Sequence, residues 1–133
     1  MSEIITDKLT GKTTAKTVTV TVGASATQSL EQGLCKAWIN YDGTSAGAVS
    51  TWARDSLNLS VITDSGNGNH TVGFTSNMSN ANYTTQVTSI SSTAAGVTTA
   101  DIATSSVKIR TLNLDGTTLD RDYTGAAVFG DLA

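Results

Sequence analysis

The sequence predicts an all-β chain, a β-sandwich or jelly-roll-like domain preceded by an extended N-terminal arm. Three observations carry this. Thr and Ser together fill about three of every ten positions, and Thr, with Val and Ile, suits the pleated, half-buried surface of a strand. The 133 residues contain no Pro, so turns fall to Gly, Asn and Asp, which tolerate unusual backbone angles. Short stretches alternating apolar and polar residues recur between those turn signals, about six to eight of them along the chain.

Residues 1–30 read as an arm or docking segment, and 31–133 as the sandwich domain. In the arm, Ile4, Ile5 and Leu9 are the sizeable anchors of a polar stretch. Residues 17–22, TVTVTV, form a period-two strand with Val18, Val20 and Val22 on one face. Three valines cannot hold a strand folded alone, so it must add to a sheet of its own domain or of a neighbour. The following GASATQS is expected to be a loop. Lys8, Lys12 and Lys16 are spaced four apart, but Thr and Gly between them favour a solvated arm over a basic helix stripe.

Residues 34–41 form the next strand, with Leu34 and Trp38 on one face and Cys35, Ala37, Ile39 and Tyr41 on the other. Apolar residues on both faces argue for a central position. Asp42-Gly43 turns the chain, and a small-residue loop runs to Trp52. From Leu57 the alternation sets Leu57, Leu59 and Val61 against Asn58, Ser60 and Ile62. The turn at 64–69, DSGNGN, then leads to His70, Val72 and Phe74, which face inward; this hairpin is the strongest local signal in the chain. Residues 83–90 give a weaker strand, and 91–104 read as a long surface loop. In 107–114, Val107 and Ile109 have one parity and Leu112 and Leu114 the other. A bulge near Arg110 and Thr111 or a strand covered on both faces would reconcile them.

Composition bounds the function. Hydrophobic residues are 38% and aromatics 5%, a thin supply for a self-sufficient core, and a homo-oligomer remedies this by sharing buried area. The net charge of −3 gives no broad attraction for phosphate backbones, so nucleic acid is disfavoured as a partner. No apolar run is long enough to insert into a bilayer, and MSEIITDKLTGK lacks a signal-peptide core, which predicts no export by that route. Four Asn-x-Ser/Thr triplets, at Asn58, Asn69, Asn77 and Asn82, then follow from composition alone. The lone Cys35 excludes an internal disulfide and is expected to be a buried, inert thiol.

Candidates for chemistry are few. His70 is the one histidine, and its place at the end of the turn favours a hairpin-edge residue over a catalytic base. Together with Asn67 and Asn69 it forms a candidate surface-binding loop. Glycan cleavage needs two carboxylates at a fixed separation. Asp120 and Asp122 would share a strand face with Arg121 pointing away, an arrangement better read as a solvated face. The 64–69 turn resembles an oxygen-rich calcium loop but departs from the EF-hand spacing. The reading is therefore non-enzymatic, with no catalytic residue, no metal and no cofactor.

Three segments, GLCKAWIN (33–40), RDSLNLSVITD (54–64) and HTVGFTSNMSNANY (70–83), resemble a theme in bacteriophage tail-fibre and other virion-surface proteins. The opening SEIITDKLTGKTTA is similar to the start of short virion proteins of phages of aquatic bacteria. The resemblance implies a small, often trimeric β-domain at an exposed end of the particle, localised to a virion assembled in the host cytoplasm. Its partners would be other virion proteins and a host-surface glycan or protein. Cys35 and Tyr41 depart from the small apolar residue and the Phe more familiar there. The pattern carries no catalytic residues. A fibre or fibre-tip module would bind through loops 42–52, 76–82 and 91–104. A capsid decoration protein would use the arm to cement capsid subunits, and a glycan-degrading tail enzyme would use Asp120 and Asp122.

Overall fold

A computed structural model describes residues 18–22, 26–45, 51–90 and 95–133. The chain divides into two compact units, one running to Leu34 and the other from Cys35 to Ala133.

In the first unit, β1 (Thr19–Val22) pairs antiparallel with β2 (Ala26–Ser29), and a single helical turn, α1 (Leu30–Gly33), follows. The TVTVTV strand thus meets its partner locally. The predicted loop at 23–29 is corrected, because its second half, ATQS, supplies the paired strand. Ser29 caps the turn, its Oγ accepting the Gln32 N–H at 3.4 Å. Two strands bury little: Val20 is 47% and Leu34 53% exposed. The predicted anchors Ile4, Ile5 and Leu9 lie outside the described residues, as does the side chain of Val22.

The second unit is the sandwich. One sheet has the order β4 (Ala53–Leu57), β3 (Ala37–Tyr41), β10 (Tyr123–Phe129), β7 (Thr84–Ile90). The other has β5 (Leu59–Asp64), β6 (Asn69–Phe74), β9 (Ser106–Asn113), β8 (Ala95–Ala103). All pairings are antiparallel. The inward faces supply the core: Ile39, Tyr41, Ala126 and Val128 from the first sheet, and Ile62, Val72, Phe74, Val107 and Ile109 from the second. Period-two burial runs cleanly through β3, β9 and β10. Among the described residues no helix is long and apolar enough to cross a membrane.

Between β4 and β5 the chain changes sheet at a single residue. Asn58 sits between β4 and β5 with φ of 58°, in the left-handed region that Asn tolerates better than most side chains. Its Nδ2 donates to the carbonyls of Lys36 (3.1 Å) and Ser76 (3.0 Å), and its Oδ1 accepts the Ser76 N–H at 2.6 Å. This pivot and a bulge between Leu59 and Val61 break the predicted common face of Leu57, Leu59 and Val61, of which Leu59 alone packs on the core. Ile62 is buried, while Leu57 and Val61 are about half exposed. A period-two reading carries no memory across a kink that shifts register by one.

Three further expectations change. The strand predicted from Leu34 begins at Ala37, and Cys35 before it is part-buried, with its Sγ–H donating to the Ala37 carbonyl at 3.0 Å. Residues 95–103, expected within a surface loop, form β8 and cover β9 as an edge strand. In β9 inward parity holds through Val107, Ile109 and Thr111. The strand ends at Asn113, so Leu114 lies beyond it, 79% exposed. The irregularity falls on the partner strand, between Ala100 and Ala103.

Candidate functional site

The turn singled out in the sequence is a two-glycine loop. Asp64 Oδ1 accepts the Gly66 N–H at 2.8 Å, and Ser65 N–H and Asn69 N–H reach the carbonyls of Asn69 and Gly66, both at 2.8 Å. Gly66 and Gly68 take φ of 103° and 66°, which explains why glycine recurs at these positions. Gly68 is also pressed against backbone. A Cβ there would lie 2.5 Å from the Leu119 nitrogen and 2.6 Å from the Thr111 oxygen.

Side chains then staple the turn to the segment between β9 and β10. Asn67 Nδ2 donates to the Thr118 carbonyl and its Oδ1 accepts the Asp120 N–H, both at 2.9 Å. The Asp120 carboxylate returns the contact by accepting the Gly68 N–H. Asn69 Nδ2 donates to the Asn67 carbonyl at 2.8 Å, while its Oδ1 accepts the Arg110 Nε–H at 3.0 Å. Polar atoms of the predicted binding loop are thus engaged within the fold. Asp64 and Asn67, which a calcium loop would turn on a cation, accept main-chain N–H groups instead. No cluster of three or more His, Cys, Asp or Glu side chains placed to hold a metal occurs among the described residues.

His70 does not belong to a surface loop. It is 1% exposed, because the first residues of β6 already point between the sheets. Its ring packs edge-on against Tyr41 and Trp52, with centroids 5.3 and 5.4 Å away. His70 Nδ1 lies 3.4 Å from Tyr41 Oη, and Nε2 lies 3.7 Å from Asp120 Oδ1. Burial pushes the imidazole below its ordinary pKa, against the pull of the Asp120 and Asp64 carboxylates and the Gly43 main chain. Tyr41 is pushed up by burial. Neither ring is open to a substrate.

Asp120 and Asp122 do not share a strand face. Residues 119–122 precede β10 and are not in a strand. Asp120 is part-buried and tied to Gly68, whereas Asp122 is exposed. Arg121, predicted to point away from them, is 7% exposed and donates through Nη2 to Asn113 Oδ1 at 2.8 Å.

The sequence reading missed the outward face of the β4-β3-β10-β7 sheet. On β10 the outward residues are Tyr123, Gly125 and Ala127, alternating with buried Thr124, Ala126 and Val128. Gly125 lies between Asn40 of β3 and Thr88 of β7, and Ala127 between Trp38 and Gln86. A strand of small residues flanked by larger ones leaves a groove. Tyr123 stands at one end, with the Arg54 guanidinium 5.5 Å from its ring centre. Arg54 also pairs with Asp42 at 3.4 Å. Alternation places Trp38 and Asn40 on one face, but only the long-range pairing of β3 with β10 brings them beside Gly125 and Ala127.

Comparison with protein-family models, curated protein sequences and solved structures finds no significant match to this chain.

Proposed function

We propose that the chain is a non-enzymatic structural component of a phage virion, a trimeric tail-fibre or fibre-tip module exposed for host-surface attachment. The resemblance of GLCKAWIN, RDSLNLSVITD and HTVGFTSNMSNANY to virion-surface proteins supports the particle assignment. The observation that carries the attachment role is the division of labour in the sandwich. His70, Asn67 and Asp120 are engaged in holding the fold together, while the groove leaves the Trp38 ring and the Gln86 amide facing solvent. A shared contact between copies would also cover exposed Val20 and Leu34 of the hairpin unit.

Capsid decoration is the second reading, favoured by the separate compact unit ahead of Cys35. Such a unit suits an arm that lies on capsid subunits. A glycan-degrading enzyme built on Asp120 and Asp122 is the weakest, since Asp120 is already engaged with Gly68.

Quantitative proteomics of purified particles, with immunogold imaging, tests the reading. A few tens of copies at the tail, with a trimeric mass in solution, is the expected result. Hundreds of copies over the head would favour decoration, and absence from particles would remove the virion assignment. For decoration, deletion of residues 1–16 should weaken attachment to the particle more than it lowers the melting temperature of the domain.

A further inference from the structure

We infer that the groove on the outward face of the β4-β3-β10-β7 sheet is a binding site for a neutral oligosaccharide. The inference deepens the attachment reading and rests on it for biological context, but its chemistry stands on the groove itself.

The groove is one strand wide. Its floor is β10, where Gly125 and Ala127 present almost no side chain. Its walls are the side chains of β3 and β7, two strand spacings apart, or about 10 Å. Along β10 the distance from Tyr123 to Ala127 is about 13 Å, long enough for a short chain of sugar rings. The narrowness is built in: a Cβ on Gly125 would come within 3.2 Å of Thr88 Cγ2.

The lining selects for sugar chemistry. A pyranose ring has an apolar C–H face and a rim of hydroxyls that both donate and accept. Trp38, 36% exposed, and Tyr123 offer aromatic surface for the first. The exposed Gln86 amide offers donors and an acceptor for the second, and the exposed Thr88 hydroxyl can do either. Among the described residues, none lining the groove is ionisable at neutral pH. Arg54, at the Tyr123 end, is neutralised by Asp42. A charged polysaccharide would therefore find no counter-charge.

A second copy of the chain fits less well. The core of a stable protein interface is a continuous apolar patch. Here the band between Trp38 and Tyr123 is interrupted by Asn40, Thr88 and Gln86 and sunk at Gly125.

The two tryptophans give the assay. Trp52 is 5% exposed inside the sandwich, so solvent-sensitive emission comes from Trp38. The full chain is titrated with cellohexaose, mannohexaose and a galactose hexamer to about 10 mM, with a sulfated hexasaccharide as the charged comparator. The expected result is a saturable change in Trp38 emission with at least one neutral hexamer and none with the sulfated sugar. Calorimetry on variants completes the test, since removing Trp38 removes the optical signal. Trp38→Ala and Gln86→Ala should each weaken binding on the order of tenfold, while Val61→Ala, on the outward face of the other sheet, leaves it unchanged. Circular dichroism on each variant confirms folding.

Failure of all neutral hexamers to bind overturns the inference, as does binding that survives Trp38→Ala. Preference for the sulfated sugar overturns it as well. A shift from oligomer to monomer in Trp38→Ala without sugar binding by the parent would make the face a self-association surface instead. Sugar binding by a protein absent from particles would leave the groove standing and remove the virion reading.

Discussion

Asn67 and Asp120 hold each other's backbone. Asn67 Oδ1 accepts the Asp120 N–H at 2.9 Å, and the Asp120 carboxylate accepts the N–H of Gly68, next to Asn67. Residues more than fifty apart in sequence are thereby closed into one reciprocal contact between the β5–β6 turn and the entry to β10. The same carboxylate lies 3.7 Å from His70 Nε2, so the contact also bounds the buried aromatic cluster.

Replacing Asp120 by Ala should therefore act on stability. It removes a charge-assisted acceptor from Gly68, an effect of about 1.5–3 kcal/mol when the donor is left buried. Chemical denaturation of the parent and of Asp120→Ala measures it. Asp122→Ala, at an exposed position, should shift the midpoint by less than about 0.5 kcal/mol. Equal effects from the two would mean that the contact with Gly68 is not formed in solution.

Gly68 tests the same junction through backbone geometry. Its φ of 66° and the approach of Leu119 and Thr111 to within 3 Å of a would-be Cβ leave no room for a side chain. Gly68→Ala should lower stability by well over about 1 kcal/mol, because it adds a steric clash to an unfavourable φ. Gly66 has φ of 103° but nothing within 4 Å of the would-be Cβ, so Gly66→Ala reports the conformational part alone. The difference between the two midpoints isolates the close contact.

These residues mark where the sequence was legible. The alternation of His70, Val72 and Phe74 correctly set their inward faces, and the Gly/Asn turn before them is where it was expected, because both signals are local. The turn beside it nevertheless suggests an exposed loop for His70: a turn and the first residues of its strand look alike in sequence, while parity places the ring inside. The strand 95–103 was hidden by small residues such as Ala100 and Ala103, whose pairing with β9 supplies the order that side-chain pattern did not. The groove needed the register of Trp38 with Ala127, almost ninety residues away. No local period carries that information.

Protonation of His70 should weaken the fold. Burial holds its folded pKa below the ordinary histidine value of about 6.5. Below that value the unfolded chain binds a proton that the folded chain resists. The contribution of the neutral ring is full above pH 6.5 and falls as pH drops toward the depressed folded value, at up to about 1.4 kcal/mol per pH unit. Asp42, held low by its hydrogen bond from Thr44, also loses stability in acid, but at pH values below the ordinary carboxylate range of about 4. Melting temperature between pH 7 and 5 separates them. Asp42→Asn should leave the slope in that window, while His70→Gln should flatten it around a lower overall stability. A parent whose stability is level from pH 7 to 5 would place the imidazole in contact with water.

Asn58 provides the most direct test of how the two sheets are joined. Its positive φ redirects the chain from β4 to β5, and its side chain ties the pivot to Lys36 and Ser76. Asn58→Gly keeps the backbone freedom and removes the side-chain contacts, so it reads the hydrogen bonds, about 1–3 kcal/mol for the set given their partial exposure. Asn58→Ala removes the same contacts and adds the left-handed penalty of a Cβ-bearing residue, about 1–2 kcal/mol more. The order of stability should be parent, then Gly, then Ala, measured by urea denaturation with an unchanged dependence on denaturant. If Ala equals Gly, the residue does not hold a left-handed conformation in solution, and the chain must cross between sheets by a different path.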